Sequence, residues 1–154
     1  MTQIRPFAED DIRSLFALDV RRDQDGRVAP NTVTVAQSIF EPGSEIFGLW
    51  DGDTAVGLLA IVDMSHPDAD LDEGDDPDGI YIWRLMVDAG AQGKGHGTAA
   101  IRHAIKLAQG RGRAQLVISS VPENENALHI YETLGFVRTG RMVDGEVELI
   151  RRPA

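Results

Sequence analysis

An apolar strand runs into a cluster of glycines that opens a helix: Val87-Asp88-Ala89-Gly90-Ala91-Gln92-Gly93-Lys94-Gly95-His96-Gly97-Thr98-Ala99. This join limits the fold to architectures with a strand-to-helix turn at an accessible edge. The start of such a helix leaves backbone N–H groups unpaired, and the helix dipole adds partial positive charge there. Glycine lets a diphosphate come close, because no Cβ stands in the way. Two familiar phosphate motifs fail on spacing. The nucleotide P-loop needs Gly-Lys followed by Ser or Thr, whereas Lys94 precedes Gly95. The dinucleotide fingerprint needs a third glycine where Thr98 stands. What remains is Gln92-x-x-Gly95-x-Gly97, and the plain alternative is a turn that only joins strand to helix.

The rest of the chain reads as a mixed α/β sheet. Thr2–Pro6 is a short strand, and Glu9–Val20 has near-helical apolar spacing at Ile12, Leu15, Phe16 and Leu18. Thr32–Phe40 reads as a second helix. Strands follow at Glu45–Trp50, Thr54–Asp63 and Ile80–Val87, then a helix over Gly97–Gln109. Gln115–Ser119 is a strand and Asn124–Leu134 a helix stopped by Gly135. Phe136–Val143 and Glu146–Ile150 pair across Asp144-Gly145, a hairpin signal. There is no internal repeat and no interdomain linker, so one domain over 1–154 is expected.

A second segment, Asn124-Glu125-Asn126-Ala127-Leu128-His129-Ile130-Tyr131, carries an amide, a small side chain and a phenol on one helix face, because steps of three and seven return near the same angle. Together with Gln92-x-x-Gly95-x-Gly97, this segment resembles the GCN5-related N-acetyltransferase (GNAT) superfamily. Its acyl-CoA signature is Gln/Arg-x-x-Gly-x-Gly/Ala, and its later motif is Asn-x-x-Ala-x-x-x-Tyr-x-x-x-Gly-Phe. The resemblance is specific from Tyr81 to Phe136 and rests on element order elsewhere. It implies an α/β (α+β) fold, the GNAT fold: a central mixed, mostly antiparallel, twisted sheet of about seven strands with four helices, splayed between strands four and five. It implies acetyl-CoA as co-substrate, held by main-chain amides of Gly93, Lys94, Gly95, His96, Gly97 and Thr98. Leu85, Met86 and Val87 then lie beside the pantetheine arm, with Asn124, Ala127 and Tyr131 across it. The Leu85 N–H falls where it would polarise the thioester carbonyl, and Tyr131 is the donor to the departing sulfur.

The implied reaction is direct acyl transfer to an amine. A primary amine has a pKa near ~10.4, so a base must remove a proton at neutral pH. Many family members place a glutamate on the fourth strand for this. Here that position is Tyr81, and Ile80–Val87 contains no acid. A water chain, Asp63 or an acid from the N-terminal helices are the candidate bases. Trp83 and Arg84 lie beside the reaction centre, where Trp83 is either an aromatic wall for the amine or core packing. A phenol near ~10 and a thiol near ~8.5 are close enough for proton transfer or a strong hydrogen bond.

Composition narrows the partners. No cysteine is present, which excludes disulfides, thiolate metal sites and a cysteinyl acyl-enzyme. The four histidines have no metal-ligand spacing, so no metal is expected. A net charge of -10 argues against nucleic acid. No apolar run approaches a membrane span and no secretory signal is visible, so a cytoplasmic, membrane-free protein is expected. Eight acids and no Lys or Arg lie between Asp63 and Asp78, in a loop broken by Pro67 and Pro77. That stretch is either a solvated loop or a funnel for a polyamine, and it adds a weaker resemblance to bacterial spermine/spermidine-type acetyltransferases. A homodimer is common in the family. Three functions are carried forward: acetylation of a small-molecule amine, acetylation of a protein or peptide, and non-catalytic acyl-CoA binding.

Overall fold

The strands pair as β1 (Thr2–Pro6), β2 (Ser44–Asp51), β3 (Thr54–Asp63), β4 (Gly79–Val87), β5 (Gln115–Ser120), β6 (Val137–Val143) and β7 (Glu146–Arg151). The structure is a computed structural model and describes residues 1–20 and 28–153. The sheet order is β1-β2-β3-β4-β5-β7-β6, antiparallel throughout except for the parallel β4–β5 pair. The helices are α1 (Ile12–Phe16), α2 (Asn31–Ser38), α3 (His96–Gly110) and α4 (Glu125–Thr133). Two-residue turns behave as their sequences dictate. Asp144 and Gly145 both take positive φ, 50° and 78°, the twist that returns β6 directly into β7.

The expected helix over Glu9–Val20 is shorter than its periodicity. A 3-10 turn at Glu9–Asp11 leads into α1, which ends at Phe16. The chain then serves the sheet: the Asp19 amide donates to Asp88 Oδ1 at 2.9 Å, and Leu18 and Val20 pack on the β3–β4 surface. The second helix begins at Asn31 and ends at Ser38, where the sequence places it over Thr32–Phe40.

The sheet is covered on both faces. Leu59, Ile61, Ile80 and Ile82 pack with Ala100, Ile101 and Ala104 of α3 in the main core. Leu58, Ala60 and Met86 face the side covered by the α1–α2 region. Burying one such side chain contributes roughly 1.5–3 kcal/mol.

Asp63, at the end of β3 and outside the cavity lining, is a structural anchor. Its Oδ2 accepts from Arg111 at 2.9 Å and from Arg113 at 3.1 Å, and Arg111 also pairs with Glu45 at 2.6 Å. Burial alone would raise its pKa, but hydrogen bonds from Arg113, Ser65 and Arg111 outweigh it and hold the carboxyl down to about 2. A carboxyl depressed in the folded state stabilises the fold above its unfolded pKa and loses that contribution as pH falls. The shift from 3.8 to about 2 corresponds to about 2 kcal/mol at neutral pH. Asp63→Asn is therefore expected to destabilise the protein by about 2–3 kcal/mol in urea unfolding at pH 7, since two partly buried guanidinium groups lose their carboxylate. The gap between variant and parent should narrow from pH 4 to pH 2. A gap that stays constant over that range would refute this role.

Candidate active site

The parallel β4–β5 ladder holds only three pairs, Gly79–Gln115, Ile80–Leu116 and Tyr81–Val117. Beyond Tyr81 the two strands part, so β4 main-chain groups that face away from β3 have no strand partner. A bulge sits at the same place. Ala60 pairs with Arg84 and Ile61 with Ile82, which leaves Trp83 as the extra residue. The bulge resets the alternation of β4. Ile82, Leu85 and Val87 pack on the α3 side, whereas Trp83 and Arg84 both turn to the α2 side. The gap opens into a cavity of about 760 Å³ reached from both faces of the sheet.

On the α3 side the glycine turn frames this cavity. Gly93 and Gly95 have φ of 78° and 86°, a left-handed region that other residues reach only under strain. A Cβ at either position would meet nothing within 4 Å, so both face open space. Gly95 is the N-cap of α3 and supplies no side-chain cap, so the first amides of the helix remain available to an anion. Gln92 Nε2 donates to the Val87 carbonyl at 3.0 Å, which ties the turn to the end of β4. His96 is buried, and its Nδ1 lies 2.7 Å from Thr2 Oγ1, pinning α3 to β1. Gln92, Gly93, Gly95, His96, Gly97 and Thr98 all line the cavity. Lys94 is exposed and outside the lining, which leaves only its main chain near the turn.

Across the gap, Asn124 stands before α4 as its N-cap, not within the helix, and its Oδ1 accepts from the Ala127 amide at 3.3 Å. Asn124, Ala127 and Tyr131 line the cavity opposite Leu85, Met86 and Val87. The Tyr131 ring packs 6.3 Å from Phe136. Among the described residues its hydroxyl has no hydrogen-bond partner. Burial, and then the charge of Glu146, push its pKa up to about 12. The phenol is therefore a firm proton holder, a stronger bias than the ordinary value implies.

The sequence reading missed Ser119 and Glu146. Tyr81 Oη lies 3.1 Å from Ser119 Oγ, and Ser119 Oγ donates to Glu146 Oε1 at 3.1 Å. Because Ser119 spends its proton on Glu146, Tyr81 must donate to Ser119, giving one directed chain that ends on a carboxylate. Burial raises the Tyr81 pKa and keeps this hydroxyl protonated. All three residues line the cavity. The only sequence signal for Glu146 is its place just after the Asp144-Gly145 turn, which says nothing about what it faces.

Trp83 and Arg84 also line the cavity, with the Arg84 guanidinium 4.8 Å over the Trp83 ring. The acidic stretch does not. None of its eight acids lines the cavity, Asp75 pairs with Arg141 at 3.0 Å, and Asp63 is committed to Arg111 and Arg113. Its ion pairs tether it to the body of the protein. Among the described residues, no helix is long and apolar enough to cross a membrane.

The model of the acetyltransferase (GNAT) family matches residues 10–136. An uncharacterised N-acetyltransferase of Methanocaldococcus jannaschii is 35% identical over 71 residues, which cover 46% of this chain and 31% of the relative. The match thus spans under a third of that relative's length. Two solved structures share the fold across the chain. An aminoglycoside acetyltransferase in complex with coenzyme A and kanamycin is 20% identical with a TM-score of 0.77, covering 99% of this chain and 95% of its own. The ribosomal-protein-S18-alanine N-acetyltransferase of Escherichia coli is 19% identical with a TM-score of 0.71, covering 100% and 95%.

Proposed function

The chain belongs to the acetyltransferase (GNAT) family, and from that premise we propose that it transfers the acetyl group of acetyl-CoA directly to a primary amine of a small molecule. One observation carries this reading: the opened β4–β5 seam joins an uncapped helix N-terminus on one side of the sheet to the Tyr81–Ser119–Glu146 chain on the other. A two-substrate reaction needs such a passage, with separate entrances for donor and acceptor.

The residues fit a CoA donor. The Gly93–Thr98 turn offers open main-chain amides to a diphosphate, and Ala127 leaves room beside Val87 for a thin chain. When bound, acetyl-CoA supplies an acyl group activated by a thiol leaving group. The unpaired β4 edge at Leu85 supplies an amide to the acyl oxygen. Tyr131 donates a hydrogen bond to the sulfur as negative charge develops there. Glu146 takes the proton that the amine must lose, and Ser119 and Tyr81 hold its carboxylate in place. This chain answers for the glutamate absent from β4.

Calorimetric titration with coenzyme A tests the donor site. Binding is expected in the micromolar range or tighter, and Gly95→Val is expected to weaken it by at least about tenfold, since a β-branched residue at positive φ is strained and its side chain crowds the amides. Absence of heat with the parent protein would refute the reading. Thiol release from acetyl-CoA with a panel of amines then tests turnover.

A further inference from the structure

We propose that the acceptor amine also carries a carboxylate and that Arg84 binds it, so that the substrate class is a small zwitterion such as a free amino acid; this rests on the acyl-transfer reading above. Among the described residues, Arg84 is the one Lys or Arg that lines the cavity, which Asp144 and Glu146 line as well. The β4 bulge turns Arg84 onto the acceptor side, next to Trp83. Among the described residues its guanidinium donates only to neutral oxygens, Thr34 Oγ1 at 3.4 Å and Gln37 Oε1 at 3.2 Å. Among the described residues it has no carboxylate partner within 4 Å, unlike Arg111, Arg113 and Arg141. Glu146 attracts the guanidinium from a distance but forms no ion pair with it, and its Oε1 accepts from Ser119.

A guanidinium held over an indole, partly desolvated and without an ion-pair partner among the described residues, is preorganised for a planar carboxylate. Burial lowers the pKa of Arg84 by more than the nearby Tyr81 and Glu146 raise it, so the protein compensates this charge only in part, and an incoming anion would complete it. On the β6–β7 hairpin, Glu146 and Asp144 suit an ammonium. Among the described residues the cavity therefore offers one guanidinium and two carboxylates. A polyamine would set an ammonium group against Arg84, a like-charge contact that costs affinity. The same polarity disfavours amino sugars, whose charges are all positive.

The test compares α- and ω-amino acids with their carboxamides and with the matching decarboxylated amines, by thiol release from acetyl-CoA. The ratio of kcat/KM for acid over amide is expected to exceed about tenfold in the parent protein. Arg84→Gln should collapse that ratio toward unity, and Arg84→Lys should restore part of it. Calorimetry of the preferred amino acid with the CoA-saturated protein gives a readout independent of turnover, and Arg84→Gln should weaken that binding about tenfold or more. Amides, polyamines or peptides lacking a nearby carboxylate turning over as well as free acids would overturn this proposal while leaving acyl transfer standing. CoA binding with no turnover of any carboxylate-bearing amine would overturn it too. No binding of CoA at all would instead remove the acyl-transfer reading beneath it.

Discussion

Tyr131→Phe is expected to lower kcat by about tenfold to a hundredfold while leaving coenzyme A affinity within about twofold, because it deletes one charge-assisted hydrogen bond and little packing. The phenol is raised to about 12, chiefly by burial. A thiol leaves with a pKa near ~8.5, so complete proton transfer from Tyr131 would run uphill by about 5 kcal/mol. The hydroxyl therefore stabilises the thiolate as a donor and keeps its proton, contrary to the near-balance that ordinary pKa values imply. A further result follows. The kcat–pH profiles of parent and variant should have the same shape below pH 10, since Tyr131 does not ionise there. An alkaline limb in the parent that disappears in the variant would show proton transfer instead, and an unchanged kcat would remove Tyr131 from the chemistry.

Glu146→Gln is expected to have the larger effect at neutral pH, a loss of about a hundredfold to a thousandfold in kcat. The amide keeps the shape and can still accept from Ser119, so the hairpin should fold. What it cannot do is receive a proton. The deficit should shrink as pH rises toward the amine's own pKa near ~10.4, where the neutral nucleophile forms unaided. Ser119→Ala should give a smaller loss with the same pH trend, because Ser119 acts through Glu146. A Glu146→Gln deficit that holds constant from pH 7 to pH 10 would mark a structural residue and send the search for the base elsewhere.

Whether a residue's role could be read in advance depended on the distance to its partners along the chain. The glycine turn and the Asn124–Tyr131 segment each hold their geometry within a few residues, and both line the cavity. Thr54–Asp63 was bounded correctly by its continuous apolar run and by the turn before it. Glu146 was not legible because it meets Ser119 only when β5 and β7 pair, with Ser119 opposite Glu148 and Ser120 opposite Val147. The ion pairs of Asp63 were hidden for the same reason: Arg111 and Arg113 lie 48 and 50 residues away in sequence. An acid counted without its partners looks like a reagent or a lure for cations. The truncated first helix belongs to this class too, since apolar spacing continues past Phe16 but the Asp88 side chain claims the Asp19 amide.

The unpaired Trp83 separates two kinds of work along β4. Upstream and downstream of it, the strand shows odd and even positions to opposite sides by different parities, so donor and acceptor are each served by a different subset of neighbouring letters. Removing that single residue would leave Arg84 opposite Ala60 and restore one uninterrupted alternation, so the bulge adds an aromatic surface on the acceptor side without moving either subset. Substitutions on one subset can thus alter which acceptor is chosen without disturbing how the donor is gripped, which gives selection a dial for specificity that leaves the engine alone.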